Sequence, residues 1–437
     1  EQGRIHLVRE SLRERALLLR LAPAFVRPVT FLLPTYRGAG RPAWMLRLGL
    51  ALYGALAGGG ALAAHRALDA GELLVLEPRL RAEGLTGGFE FHDAQMDDAL
   101  LCVATAVAAE RAGAEVRTYT DVAALERAGA GWRARLRDTE RGVEEAVEAR
   151  WIVNAAGPWA DRVRSLARPR PPAMLRRTRG THVVLEGAWT GHALLLTARR
   201  DGRVFFALPW GSHTLLGTTD VDDAREPESI GPEPADIRYL LEEARAALPG
   251  LRDAGKPVRA FAGVRPLARG REGAAPSSNP REHRVLVEEG IVTIVGGKYT
   301  THRRLAAEAV DRVAALAGRR LPPSATADSA LALDREREIE GLRRAHPARI
   351  DLPGGFTLRE AEVVYAVRAE RAVRLDDVLV RRTRLWLDGR ALRAAAAPAA
   401  EWMARLRGWD EARRRAERDS LARGLDAEER AIEEGTA

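Results

Sequence analysis

The stretch IVTIVGGKYTTHRRLA, residues 291–306, contains the clearest succession of secondary-structure elements in the chain. Its opening residues are apolar and mostly β-branched, which predicts a buried strand. Two glycines then give backbone access, and a helix is predicted from about Thr301 to Ala317, with Gly318 as its stop. A helix start offers free N–H groups and a positive dipole end, and Lys298 adds a charge there. The segment therefore predicts an anion or cofactor site, although it lacks the G-x-x-x-x-G-K spacing of a P-loop.

Upstream of this segment the chain alternates between helix and strand. A helix is predicted at Asp97–Ala112, and strands are predicted at Ala114–Tyr119, Gly131–Arg137 and Glu145–Asn154. The last strand ends in NAAGPW, residues 154–159, where small residues let the backbone approach a flat ligand and Pro158 suits the first position of a helix. An ordinary strand–helix turn is the competing interpretation of these residues. The alternation predicts an α/β (α+β) fold.

Short strands follow one another over residues 176–221, which predicts an antiparallel sheet carrying substrate contacts. They are predicted at His182–Leu185, Ala193–Thr197, Arg203–Leu208 and Thr214–Gly217, with a later one at Val258–Val264. In GVRPL, residues 263–267, the fork of Arg265 suits a phosphate or carboxylate, and a structural salt bridge is the alternative. GTTDV, residues 217–221, taken alone indicates a polar turn.

One further pattern is a decoy, and another has a simpler structural interpretation. Gly58, Gly60 and Ala63 fit G-x-G-x-x-A, and Glu77 lies near the position of a ribose-binding acid, but the preceding run does not have the pattern of a strand. In FEFHDAQMDD, residues 89–98, the acidic residues are typical of helix capping. We expect no metal site there, because a second histidine at ligand spacing is absent.

The amino-acid composition limits the kinds of molecule or surface that we expect the chain to bind. The 437 residues carry a net charge of +8, and Lys256 and Lys298 are the only lysines. The charges are dispersed and aromatic residues make up only 5%, so the chain lacks the stacking platforms of nucleic-acid-binding proteins, and an anionic substrate or membrane surface is favoured. The single cysteine, Cys102, fits a cytoplasmic protein, and we expect no signal peptide because residues 1–22 are charged throughout. The uncharged run from Leu48 to Ala64 is predicted to be buried or interfacial.

Beyond the Pro322–Pro323 linker the chain is predicted to be almost entirely helical. Taken in order, the segments resemble the flavin-dependent, aerobic-type glycerol-3-phosphate dehydrogenases. The residues that carry the resemblance are RPAWMLRLGLALY (41–53), FEFHDAQMDDALL (89–101), NAAGPWAD (154–161), RGTHVVL (179–185), LPWG (208–211), LGTTDV (216–221), GVRPL (263–267), GGKYTTHRRLA (296–306) and a helical tail around residues 361–392.

The resemblance implies an FAD-dependent oxidoreductase fold of the glycine/D-amino-acid-oxidase type, with an interleaved antiparallel substrate domain. It implies a domain over residues 1–324, with cofactor parts at about 1–27, 91–168 and 285–320 and substrate parts at about 28–90 and 169–284. A helical C-terminal domain would follow over residues 325–437. Members of the family oxidise sn-glycerol 3-phosphate to dihydroxyacetone phosphate, reduce FAD and pass electrons to quinone. We therefore expect peripheral attachment to the inner face of the cell membrane, and a homodimer is left open.

Carried over by position, Arg265 and Lys298 would hold the substrate and His182 would lie near it. Either His182 acts as the base or Arg265 stabilises the developing alkoxide, and the sequence does not separate these roles. The residues that the resemblance places against FAD are Val122, Ala155, Ala156, Gly157, Gly296, Gly297, Thr300 and Thr301.

The family begins with a strand and a G-x-G-x-x-G loop, and both should precede Glu1. We expect an upstream segment to supply them. The alternatives are a degenerate, non-catalytic remnant at the membrane or a related FAD oxidase that uses oxygen.

Overall fold

A computed structural model describes residues 5–38, 41–58, 62–269, 283–331 and 334–437. The helices are α1 Ile5–Leu21, α2 Ala43–Ala57, α3 Ala70–Leu76, α4 Asp98–Arg111, α5 Ala160–Ala167, α6 Pro234–Ala247, α7 Leu251–Ala254, α8 His302–Leu316, α9 Arg335–Leu342, α10 Glu360–Arg368, α11 Leu375–Leu379, α12 Gly389–Arg407 and α13 Glu411–Thr436. The strands are β1 Val26–Tyr36, β2 Arg66–Leu68, β3 Leu85–Met96, β4 Thr120–Ala128, β5 Gly131–Asp138, β6 Glu144–Ala149, β7 Ile152–Asn154, β8 Leu175–Glu186, β9 Ala193–Thr197, β10 Val204–Trp210, β11 His213–Gly217, β12 Val221–Asp222, β13 Pro257–Ala268, β14 Arg284–Glu288, β15 Ile291–Val295, β16 Arg349–Leu352 and β17 Phe356–Arg359.

The largest sheet has nine strands. Eight of them follow the order β12-β8-β11-β10-β9-β1-β3-β2, and the ninth, β13, also pairs with β8. Its pairings are antiparallel except for β1 with β9, so the predicted antiparallel sheet is confirmed. Helix α6 covers it, because Ile237, Leu240 and Leu241 pack with Val183, Leu185 and other inward-facing apolar residues of the strands. This cluster fixes the sheet that carries the candidate site.

Two smaller three-stranded sheets complete the first part of the chain. In one, β15 lies between β14 and β7, and it pairs with β7 in parallel. In the other, β4, β5 and β6 form an antiparallel meander. Trp132 and Leu125 of the meander pack against Ile291 of β15, so the two sheets share one hydrophobic cluster.

The C-terminal part is mainly helical, as predicted, but it also contains the β16–β17 hairpin. Its core is a separate cluster that includes Leu375, Leu392, Met403 and Leu425. Trp386 lies in a 3₁₀ helix, Arg384–Leu387, outside that core and against the main sheet.

Two strand predictions were wrong. Residues 114–119 form no strand, and the strand begins at Thr120 instead; Tyr119 has φ of 54°, which breaks an extended backbone just before it. The predicted strand Glu145–Asn154 divides at residues 150–151 into β6 and β7, which belong to different sheets. The predicted divisions between cofactor and substrate parts at residues 27/28 and 90/91 fall inside β1 and β3 rather than between elements. The division into cofactor and substrate parts stays a prediction.

The G-x-G-x-x-A decoy does not have the strand–turn–helix context of a dinucleotide fingerprint. Gly58 follows helix α2 rather than a strand, and Gly60 lies outside the described residues. Glu77 is buried and accepts hydrogen bonds from the backbone N–H groups of Gly191 and His192, at 2.9 and 3.3 Å. Its role is therefore to hold a loop of the main sheet.

Candidate active site

His182 lies in the middle of β8, between Gly217 of β11 and Phe261 of β13. The imidazole stacks on the ring of Phe261, with centroids 5.1 Å apart and planes inclined by 11°. On the other side a Cβ atom at Gly217 would fall 2.1 Å from the imidazole Cδ2, so only glycine leaves room for the ring. Strand pairing and a missing side chain together hold His182 in a slot on one face of the sheet.

Arg265 lies on the same face, because its cross-strand neighbours alternate in step with His182. Its guanidinium lies over Gly180, where a Cβ atom would come within 2.3 Å of Nη2. Nη2 donates to Thr218 Oγ1 at 2.9 Å, and Nη1 donates to the Thr219 carbonyl at 3.1 Å. Nη1 also forms an ion pair with Asp220 at 3.4 Å. The segments RGTH, GTTDV and GVRPL, which are distant in sequence, thus meet at one arginine.

The electrostatics of this pair favour a neutral histidine. Burial, together with the positive charge of Arg265, lowers the pKa of His182 to about 4. The imidazole is therefore uncharged near neutral pH and is able to accept a proton. Arg265 keeps 29% of its side chain exposed, so the guanidinium is accessible from solvent.

The predicted cofactor residues Ala155, Ala156 and Gly157 come next to Gly296 and Gly297. The two groups follow the carboxyl ends of β7 and β15, which are parallel neighbours with Asn154 opposite Thr293. Carboxyl ends of neighbouring parallel strands form the crevice in which α/β proteins bind ligands. The first loop is rigid, because the Asn154 side chain donates to the Ala160 carbonyl at 2.9 Å and accepts from the Ala156 N–H at 3.3 Å.

Lys298 and Thr300 line a cavity of about 540 Å³ between α1, α2 and β3. On its polar side the Tyr53 hydroxyl donates to Asp93 Oδ2 at 2.9 Å, and Arg15 pairs with Asp93 at 3.4 Å. Burial first, and then the charge of Asp93, raises the pKa of Tyr53, which keeps its proton. Neither His182 nor Arg265 is among the described residues that line this cavity, so the structure does not show Lys298 and Arg265 on one ligand.

Two predicted cofactor residues have other surroundings. Thr301 is buried and its hydroxyl donates to the Lys298 carbonyl at 3.1 Å, so it holds the turn closed. Val122 lies inside β4, not after a strand as predicted, and is 39% exposed on the separate meander sheet. The contact of Val122 with FAD stays a prediction.

Sequence reasoning missed several residues of the site. Thr218 and Asp220 hold Arg265, and their motif was interpreted as a turn because a turn explains those residue types equally well. Phe261 was not predicted, because an apolar side chain gives no indication of a functional role in the sequence. Asp97 caps α4 through the Leu100 N–H at 3.1 Å, as its capping prediction requires. Within the ranges that the structure describes, no group of His, Cys, Asp and Glu is arranged to hold a metal ion.

Comparison with known proteins shows the family of the chain. The profile of the DAO family, described as FAD dependent oxidoreductase, matches residues 1–303. The chain belongs to this FAD-dependent oxidoreductase family. A second profile, the C-terminal domain of alpha-glycerophosphate oxidase, matches residues 331–414. The predicted fold class and family are thereby confirmed.

Named relatives cover most of the chain. A glycerol-3-phosphate dehydrogenase of Mycobacterium leprae is 34% identical over 426 residues, which span 89% of this chain and 72% of the relative. The aerobic glycerol-3-phosphate dehydrogenase of Escherichia coli is 30% identical over 430 residues, spanning 89% of this chain and 84% of the relative. A glycerol-3-phosphate dehydrogenase from Bacillus halodurans, solved in complex with FAD, superposes with a TM-score of 0.74 at 23% identity and covers 94% of this chain and 84% of its own. That structure supports the fold.

The residues present fit the FAD that the family binds. The loops after β7 and β15 bring small residues and backbone N–H groups to one edge of a sheet, which a flat ring system requires. Ala155 to Gly157 and Gly296 to Gly297 would therefore contact the flavin. Thr300 and Lys298 would lie at its other side, toward the cavity beside α2.

Proposed function

We propose that the protein oxidises sn-glycerol 3-phosphate to dihydroxyacetone phosphate and passes the electrons to a quinone at a membrane surface. The observation that carries the proposal is that His182 and Arg265 lie on one face of the antiparallel sheet, where burial and the cation together lower the pKa of the imidazole. The names of the relatives supply the substrate. FAD, when bound, supplies a hydride acceptor for C2 of the substrate.

His182 removes the hydroxyl proton of the substrate in this proposal. Its Nδ1 is enclosed and has no hydrogen-bond partner among the described residues, so Nε2 takes the proton. A neutral imidazole is needed for this step, and the low pKa of His182 provides it across the physiological range.

Arg265 stabilises the oxygen that carries the developing negative charge. Its charge acts on His182, so it lies near the same reacting hydroxyl group. Thr218, the Thr219 carbonyl and Asp220 hold its guanidinium before substrate arrives, which lowers the cost of reorganisation. Lys298, a compact point charge, then holds the phosphate.

Anaerobic reduction of the bound flavin tests the reaction directly. The full-length, FAD-loaded protein is mixed with glycerol 3-phosphate, and bleaching of the flavin absorbance is followed. We expect bleaching with glycerol 3-phosphate and none with glycerol or glycine, because both lack the phosphate that Lys298 holds in this proposal. Absence of bleaching with glycerol 3-phosphate would favour the non-catalytic alternative.

The electron acceptor is tested by reoxidation of the reduced flavin. A quinone analogue should reoxidise it much faster than dissolved oxygen. The reverse order would favour the related oxidase that uses oxygen.

Helix α2 supports the membrane part of the proposal. It has no buried residue, and Trp44, Leu48 and Leu52 are 66%, 64% and 47% exposed. Leu52 and Leu56 of the same helix line the cavity that contains Lys298, so an apolar acceptor entering along α2 would approach the flavin loops. In the described part of the chain, no helix is both long and apolar enough to cross a bilayer. Helix α2 would therefore lie in the interface of an anionic membrane.

Vesicle co-sedimentation tests this role of α2. Leu48→Glu should reduce binding of the full-length protein to vesicles that contain anionic lipid. Val75→Glu is the matched control, because Val75 of α3 is 80% exposed but lies outside α2. Equal loss in both variants, or none in Leu48→Glu, would contradict an interfacial α2. Attachment to the inner face of the cell membrane is part of the same proposal, and the homodimer stays a prediction.

A further inference from the structure

The orientation of His182 is set by packing rather than by a hydrogen bond. Histidines that act as bases are usually oriented by a carboxylate or carbonyl on the second ring nitrogen. In the described part of this chain, His182 Nδ1 is buried with no such partner. The ring is instead confined between Phe261, stacked at 5.1 Å, and the space that Gly217 leaves. Whatever fixes Phe261 therefore fixes the histidine.

Phe261 is fixed from the C-terminal domain. Trp386 meets its ring edge-on, with centroids 5.7 Å apart and planes at 88°. Trp386 also meets Trp210 of β10 in an edge arrangement at 5.5 Å. Aromatic pairs in this geometry are attractive beyond their buried area. The rings of His182, Phe261 and Trp386 thus form a continuous series of aromatic contacts from the sheet to the helical domain.

The backbone of Trp386 is tied to the same strand as Phe261. Arg259 of β13 donates from Nη1 to the Trp386 carbonyl at 2.8 Å. The guanidinium of Arg259 is buried and also forms two hydrogen bonds to Glu428 of α13, at 2.6 and 2.8 Å. Since these contacts clamp the 3₁₀ helix onto β13, Trp386 has little freedom to move away from Phe261.

We propose that Trp386 is a positioning residue, through which the C-terminal helical domain holds Phe261 and thereby His182 in the orientation needed for proton removal. The proposal rests on the proposed function of His182 as base. It assigns the helical domain an indirect part in the reaction, since no described residue bonds to the buried nitrogen and ring packing holds the imidazole instead.

The test compares the limiting rate of flavin reduction, per bound flavin, in full-length variants. Trp386→Ala should lower this rate by about tenfold and change the apparent dissociation constant of glycerol 3-phosphate by less than about threefold, because orientation and not binding is lost. Trp386→Phe should restore most of the rate, because an aromatic edge is retained. Trp409→Ala is the matched control: Trp409 packs against the core of the same domain, away from the sheet. Its rate per flavin should equal that of the wild type.

A double-mutant cycle separates positioning from general destabilisation. Trp386→Ala should have no further effect in a His182→Ala background, because there is no ring left to orient. An unchanged rate in Trp386→Ala, or an equal loss in both backgrounds, would overturn the proposal. If Trp386→Ala retains no flavin, Phe261→Leu is measured by the same criteria. A wild-type protein that glycerol 3-phosphate does not reduce would instead overturn the proposed function, and this inference with it.

Discussion

Removal of the Arg265 side chain is the sharpest test of the site. The guanidinium has two hydrogen bonds and an ion pair with the segment 218–220, so it occupies a defined position before substrate binds. Loss of one preorganised donor to a developing oxyanion costs about a hundred- to a thousandfold in rate. Because the side chain keeps 29% exposure, solvent screens it in part, and the lower end applies. We expect Arg265→Ala to lower kcat/KM by at least about a hundredfold, or about 3 kcal/mol.

A second effect of the same substitution concerns His182. The charge of Arg265 contributes to the low pKa of His182, after burial. Its removal should raise that pKa from about 4 toward the ordinary value of about 6.5, without reaching it, because the burial remains. The acid side of the pH profile for flavin reduction should therefore move to higher pH in the variant.

The assay is steady-state kinetics with a quinone analogue or a dye acceptor, with the flavin absorbance recorded for each preparation. Arg176→Ala is the matched control, because Arg176 lies on β8 in the same sheet and pairs with Asp222, a half-exposed carboxylate. A kcat/KM for Arg265→Ala within about threefold of that of Arg176→Ala would refute the role of Arg265, since ion pairs of the Arg176 kind contribute little.

Three further predictions follow from the same geometry. Lys298→Arg should lower kcat/KM on the order of tenfold, because a planar fork replaces a compact ammonium beside Gly297; steady-state kinetics that match the wild type would contradict this. His182→Gln should lower the limiting rate of flavin reduction by roughly a hundred- to ten-thousandfold in stopped-flow measurements. The same substitution also changes how stability depends on pH. The pKa of His182 is about 4 in the folded protein and 6.5 in the unfolded chain, so the wild type loses stability relative to His182→Gln as the pH falls from 6.5 to 4. Parallel thermal unfolding should show the Tm of the wild type falling relative to that of His182→Gln over this pH range. Glu428→Gln should destabilise the fold by about 2 kcal/mol, because it weakens the bond to buried Arg259, whereas Glu429→Gln, at a 57% exposed carboxylate, should leave the Tm nearly unchanged.

The elements that the sequence predicted well are those whose local signals agree with their tertiary surroundings. Strands β9 and β15 were predicted at their observed residues, since each combines an apolar pattern with a clear stop. The strand expected at residues 114–119 failed for the opposite reason. Its residues favour extended structure, but the hairpin register of β4 with β5 begins only at Thr120. Strand pairing, which no local pattern encodes, decided the boundary.

The candidate site was predictable in its polar members and not in its apolar ones. Arg265 stood out because a guanidinium after a predicted strand suits a phosphate or carboxylate, and His182 was named from the family resemblance. Phe261 and Trp386 did not, because aromatic residues are ordinary core components and their meeting depends on which strand lies beside which. Thr218 was ambiguous for a related reason: a hydroxyl after a strand is equally typical of a turn and of an arginine anchor.

Arg265 has two effects at the site, on His182 and on the developing oxyanion, and both depend on its positive charge. A base that removes a hydroxyl proton must be neutral at working pH, which a nearby cation promotes. The same cation must still stabilise the alkoxide, so it cannot be neutralised fully by a carboxylate. Asp220 meets Arg265 at 3.4 Å, longer than the 2.5–2.8 Å contacts of Arg179 with Asp223 and Asp236. A closer carboxylate would weaken the effect of Arg265 on both the histidine and the oxyanion. Asp220 therefore orients the guanidinium and screens its charge less than a carboxylate in closer contact would.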